Sequence, residues 1–164
     1  MPARLSLVSL VLLVLTACVS GPGFDTRKVN PAVTPHSAVA ELPATRGRPV
    51  LWGGVIINTR NLESLTRLEV LAYPLSRNQM PQRDRDPLGR FIVERQGFLE
   101  PASYTRGRMI TIVGTVKGSE KGKAGGADYV YPVIEASELY LWPRDSEYGN
   151  RSNIHFGIGV GIGL

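Results

Sequence analysis

Two adjacent glycines, Gly53 and Gly54, interrupt the run VLWGGVIIN from Val50 to Asn58, whose other positions are mostly β-branched or apolar. Such a run predicts a strand. Glycine inside a strand costs stability unless the strand bends sharply or admits a close neighbour, and the coiled strand of a small barrel does both. The next run, LTRLEVLAYPL from Leu65 to Leu75, follows the polar stretch Thr59 to Ser64 and predicts the second strand of a meander. After a Pro-rich, charged loop from Arg77 to Gly89, FIVE predicts a third short strand and FLEPASY a compact loop or helical turn. RMITIVGTV and YVYPVIEASELYLW supply two more strands across a Gly- and Lys-containing loop.

Five strands, a glycine-bent first strand and a connecting element between the third and fourth predict an all-β body. Its expected form is an OB-fold-like five-stranded Greek-key barrel. A small sandwich or half-open sheet has the same strand count and is the alternative. With 164 residues the chain has room for one ordinary domain. One cysteine, Cys18, and two histidines, His36 and His155, exclude intrachain disulfides, Cys-rich zinc sites and a Cys-His nucleophile pair in the body.

Residues 1 to 20, MPARLSLVSLVLLVLTACVS, have the plan of an export signal: one charge at Arg4, an apolar run from Leu5 to Leu15, then small residues. The run is too short for a bilayer span of about 20 residues before Ser20, Gly21 and Pro22 break it. Leu15, Thr16, Ala17 and Cys18 resemble the lipobox of bacterial lipoproteins. That resemblance implies removal of residues 1–17 and acylation of Cys18, the one thiol able to take a thioether-linked diacylglycerol. Two or more acyl chains hold a protein stably on a membrane where a single one does not. Val19, where the sorting rule of Gram-negative lipoproteins would need aspartate for inner-membrane retention, implies the outer membrane as destination.

From 18 to 48 the chain is rich in proline and small or polar residues and reads as a lipidated flexible tether, spanning roughly 30 Å as a coil. Thr34 and Pro35 form a helix N-cap and first position, predicting a short helix within it. The barrel body is expected over 49–143 and a separate tail over 144–164. In the tail, HFGIGVGIGL places Phe156, Ile158, Val160, Ile162 and Leu164 on one strand face and glycines on the other. It either packs on the body as an extra strand, stays loose, inserts at the membrane interface, or adds to a partner's sheet edge. It lacks the third glycine of a dinucleotide fingerprint and any following helix.

LWGGVI, ERQGFLEPASYTRGRMITIVGTVKG and ELYLWP resemble the Slp family of outer-membrane lipoproteins, and the likeness runs in order from the lipobox through Pro143. It implies an outer-membrane lipoprotein facing the periplasm, associated with starvation or stress, without an established catalytic activity. Cys18 is the one functional residue it carries over.

No catalytic, cofactor-binding or metal-ligating residue is assigned. His36 lies in the tether and His155 in the tail, neither within a motif. Asp84 and Asp86 have no EF-hand glycine or glutamate after them and are flanked by arginines. Glu94, Glu100, Glu135 and Glu138 have no spacing that fixes a carboxylate pair. For binding, an OB barrel uses its second and third strands and the loops after strands one and four. Arg60, Arg67, Lys117, Lys121 and Lys123 fall there as candidate contacts to an anionic ligand, against the reading of a solvated basic rim. The expected partners are the outer membrane, through Cys18, and an envelope protein or lipid, through Phe156, Ile158, Val160 and Ile162. Nucleic acid is not expected.

Overall fold

The computed structural model describes residues 21–144. Five strands are formed: β1 (Pro49–Asn61), β2 (Leu65–Tyr73), β3 (Gly89–Gln96), β4 (Met109–Ala124) and β5 (Ala127–Leu141). They close into a barrel in the order β1-β2-β3-β5-β4. Every neighbouring pair is antiparallel except β3 and β5, which run parallel with Ile92 opposite Val133. This is the connectivity of the OB-fold, and its closure rules out the half-open sheet and the sandwich.

The glycine pair sits where closure requires it. β1 bonds β4 from Pro49 to Val55 and β2 from Gly53 to Asn61, so Gly53 to Val55 are hydrogen-bonded on both edges. A methyl group on Gly54 would fall inside the Leu71 carbonyl, and one on Gly53 would lie 2.8 Å from Leu75 Cδ2. Gly114 serves β4 in the same way, at a register shift beside Val113 where a Cβ would meet the Glu135 carbonyl oxygen at 2.5 Å. Strict alternation on β2 sends Thr66, Leu68, Val70 and Ala72 inward, where they join Trp52, Ile56, Phe91, Val93, Ile110, Ile112 and Ile134 in the core. Trp52 and Phe91 meet edge to face with centroids 5.1 Å apart.

The segment expected as a flexible tether is docked over most of its length. Two short helices, α1 (Pro35–Ala40) and α2 (Leu42–Thr45), stop one end of the barrel. Thr34 and Ser37 form a reciprocal capping box with Pro35 in the first turn. Ala38 is fully buried, and Val33 and Leu42 pack on the core. Trp52 Nε1 donates to the Val33 carbonyl at 2.7 Å, and Gly47 N–H to that of Val116 at 2.8 Å. The composition pointed the other way because three spaced apolar residues cannot make a core of their own. They suffice here because the open end of the barrel supplies the rest of the apolar surface.

A second departure is the Gly- and Lys-containing loop between the fourth and fifth strands. Those residues continue β4 as far as Ala124, and the reversal takes only Gly125 and Gly126, both at positive φ. Residues 97–108 form the connecting element between β3 and β4, a turned loop whose Leu99 and Tyr104 cover the other end of the core.

Candidate functional site

The outward face of β2 and β3 is the surface on which an OB barrel would hold a ligand. Here the extended β4–β5 hairpin is bonded onto it. Lys117 Nζ lies 2.8 Å from Glu94 Oε2, and Arg67 bridges Glu120 at 2.5 Å and Glu94 at 3.7 Å. Arg90 pairs with Glu69 at 2.7 Å, and the Tyr131 hydroxyl lies 3.1 Å from the same Glu69 oxygen and 2.8 Å from the Lys123 carbonyl. Beneath these, Ile92, Tyr131 and Val133 form a small buried cluster, with Tyr129 edge-on to Tyr131 at 4.7 Å.

The electrostatics follow from this geometry. The hydrogen bond to Glu69 raises the Arg90 pKa, and the bond to Glu94 raises that of Lys117. Burial, then the hydrogen bond to Glu69, raises the Tyr131 phenol above its ordinary value. Each exposed pair contributes at most about 1 kcal/mol, but together they fasten the hairpin to the barrel.

Of the five cations expected to meet an anionic ligand, Arg67, Lys117 and Lys123 are therefore paired with carboxylates, Lys123 with Asp128 at 2.6 Å. Lys121, on β4, and Arg60, on β1, are exposed and make no ion pair among the described residues. All five stand on strands; the loop after β1 is only three residues and that after β4 only two. Glu94 and Glu135 are register partners across β3 and β5, a juxtaposition no sequence spacing revealed. Glu100 accepts from the Ala102 N–H. Among the described residues no cluster of His, Cys, Asp and Glu could hold a metal ion. Leu15, Thr16, Ala17, Cys18, His155 and the tail residues Phe156, Ile158, Val160 and Ile162 lie outside the described residues.

Sequence reasoning missed a second feature, built by the loop between β2 and β3. A cleft of about 660 Å³ opens between the N-terminal segment and this loop, lined by Val29, Val33, Leu51, Trp52, Leu75 and Leu88, with Ser76, Arg77 and Gln79 also on its wall. Gln79 holds it together. Its side-chain amide accepts from the Phe24 N–H and donates to the Phe24 carbonyl, both at 3.1 Å. Its own carbonyl accepts from Thr111 Oγ1 at 2.7 Å, and Thr111 Oγ1 in turn accepts from Trp142 Nε1 at 2.9 Å. Gln79 sits at φ 67°, the one described non-glycine residue at positive φ, a conformation that persists only where surrounding contacts enforce it. Nothing in RNQMPQ signals this role, since the left-handed position carries neither Gly nor Asn.

The loop also receives the chain arriving from Cys18: Gly21 packs on the Asn78 backbone so closely that no side chain would fit. At the far end of β2, about 26 Å away, Leu62 and Phe98 are exposed on neighbouring loops joined by the Gly97 N–H to Ser64 carbonyl bond. Phe98 is 68% exposed.

A closed OB-topology barrel with an N-terminal segment docked on its side defines the structural class. The family follows from the sequence: residues 15–157 match the model of the outer membrane lipoprotein Slp family, and the chain belongs to that family. It is 34% identical over 137 residues to an uncharacterized protein of Haemophilus influenzae, covering 82% of this chain and 73% of that protein. It is 29% identical over 133 residues to the uncharacterized lipoprotein YeaY of Escherichia coli, covering 79% and 67%. Against the outer membrane protein Slp of E. coli the identity is 29% over 96 residues, 58% of this chain and half of that protein. Among solved structures, a small single-stranded DNA-binding protein from Streptomyces coelicolor superposes with a TM-score of 0.38 at 13% identity, covering 58% of this chain and 94% of that one.

Proposed function

We propose that this outer-membrane lipoprotein is acylated at Cys18 and holds a non-enzymatic barrel on the periplasmic face of the membrane. There it serves the response to starvation or envelope stress by binding a partner or envelope component. The observation that carries this reading is the docking of the N-terminal segment on the barrel, beginning at Gly21 on Asn78 and Phe24 on Gln79. The chain packs on its own fold at Gly21, three residues after Cys18, and is hydrogen-bonded to it from Phe24, so an acylated Cys18 would present the fold at the membrane rather than on a long leash.

The non-enzymatic part is supported by what the carboxylates do. Glu94 and Glu120 pair with cations across the hairpin–barrel contact, and Glu69 holds Arg90 on β3 while accepting from the Tyr131 hydroxyl of the hairpin, a structural use of groups that would otherwise be acid–base candidates. The same pairs occupy the face through which barrels of this topology bind oligonucleotides, which favours a protein or envelope partner. Leu62 and Phe98 offer such a partner an apolar contact at the end of β2 remote from the anchor.

In starved cells, Cys18→Ala should leave the outer-membrane fraction and abolish protection, whereas Glu94→Gln and Glu135→Gln should retain it. Loss of protection in either glutamate variant, with normal folding, would favour instead a hydrolytic barrel that uses these carboxylates. A small-ligand reading rests on the 660 Å³ cleft. It would be favoured if Leu51→Trp, which narrows that cleft, abolished protection while Phe98→Ser did not.

A further inference from the structure

Both ends of the described chain leave the fold at one patch. Gly21 lies against Asn78, and three peptide units reach at most about 11 Å back to Cys18. At the other end Trp142, two residues before Arg144, is tied through Thr111 to the Gln79 carbonyl. The Ser76–Met80 turn therefore marks the described part of the fold nearest to where acyl chains on Cys18 would enter the membrane, and the described chain ends close by, two residues after Trp142.

The charge of this side fits a lipid surface. Arg77, Arg83 and Arg85, on the loop between β2 and β3, and Lys28, on the docked N-terminal segment, are exposed and make no ion pair among the described residues. Asp84 and Asp86 are their exposed anionic neighbours, leaving the cations in excess. On the opposite outward face, formed by β2, β3 and the hairpin, Arg67, Arg90, Lys117 and Lys123 are each paired with a carboxylate, and Lys121 is the exposed exception on β4. Cations within a Debye length of about 8 Å gain from an anionic leaflet, each by roughly fivefold in partitioning, and an 11 Å leash leaves the patch little freedom to move beyond that range.

We propose that the side of the barrel built by the β2–β3 loop lies directly against phospholipid headgroups, so that the protein rests side-on upon the leaflet that anchors it. This rests on acylation of Cys18. It fixes what the rest of the molecule can do: the Leu62–Phe98 end and the β4–β5 hairpin are left to the periplasm, and the cleft beside Arg77 and Gln79 opens near the headgroup layer.

Acylation consumes Cys18, so Arg77→Cys, Arg85→Cys and Lys121→Cys each supply a single labelling position at an exposed residue. The full-length acylated variants, labelled with a fluorophore, are reconstituted in vesicles of phosphatidylethanolamine and phosphatidylglycerol bearing a quencher on the lipid headgroup. Labels at 77 and 85 should be quenched several-fold more strongly than a label at 121. Equal quenching at all three positions, with an N-terminal peptide shown by mass to be acylated, would overturn side-on docking and leave the lipoprotein reading intact. An unacylated peptide would overturn both.

Discussion

Replacing Gln79 by alanine should release the N-terminal segment without unfolding the barrel. The Gln79 side chain makes two hydrogen bonds to the backbone of Phe24, each 3.1 Å long and partly buried. At about 1 kcal/mol net for each, their loss destabilises the docked state of the segment preceding Val33 by about 2 kcal/mol. That raises the population of its open form roughly thirtyfold. The backbone stays at positive φ in the variant, so the Thr111 bond to the 79 carbonyl is retained and the barrel is spared. Trp52 still holds the Val33 carbonyl, which limits the opening to the residues before it. Hydrogen exchange reads this directly, because the Phe24 amide has Gln79 Oε1 as its acceptor. Its protection should fall about thirtyfold, while Val70 and Ile134, in the core, stay at the global limit. Gln79→Glu should fail similarly, since a carboxylate oxygen would face the Phe24 carbonyl. Unchanged protection at Phe24 would refute the clamp, and a general loss of protection would show that Gln79 supports the barrel itself.

Gly54→Ala should cost about 3 kcal/mol or more, because the new methyl group collides with the Leu71 carbonyl at a doubly bonded position of β1. Gly47→Ala meets no neighbour and should cost only about 1–2 kcal/mol for its positive φ; urea midpoints separate the two. Ala38→Asp places an unpaired carboxylate in a fully buried position of α1 and should cost about 3 kcal/mol, with protease cleavage appearing first within 35–48. Alkaline stability should depend on Tyr131. Its folded pKa is raised above 10.0 by burial and by Glu69, so the folded state keeps the proton that the unfolded chain surrenders. Stability is full below pH 10.0 and is lost as pH rises through the folded value. Tyr131→Phe should flatten that loss in urea titrations above pH 10.0, and an unchanged slope would count against it.

The barrel was legible because each of its strands carries either a period of two or an apolar run, and Gly53 and Gly54 announced the bend. What stayed hidden depends on partners distant in sequence. KGSEKGKA reads as a loop by composition, yet forms strand because Lys117, Glu120 and Tyr131 find partners on Glu94, Arg67 and Glu69. The proline-rich segment before β1 reads as a tether because its few apolar residues acquire a core only once the barrel exists. The pairing of Arg67, Lys117 and Lys123 among the five candidate cations was hidden for the same reason: a cation's availability is set by the carboxylate opposite it, and strand register decides which that is. Gln79 had no local signal at all. Cys18 is the opposite case: it lies outside the described residues, and the proposal that it is acylated rests on its position after Leu15, Thr16 and Ala17 in the sequence.

The central claim is an acylated cysteine leading at once into a docked fold, and the N-terminal peptide of protein purified from separated inner and outer membranes tests it most directly. Its mass should correspond to a chain beginning at Cys18 with acyl groups attached, recovered from the outer-membrane fraction. A peptide that begins elsewhere, or one that begins at Cys18 without lipid, would contradict the anchor and with it the placement of the barrel on the membrane.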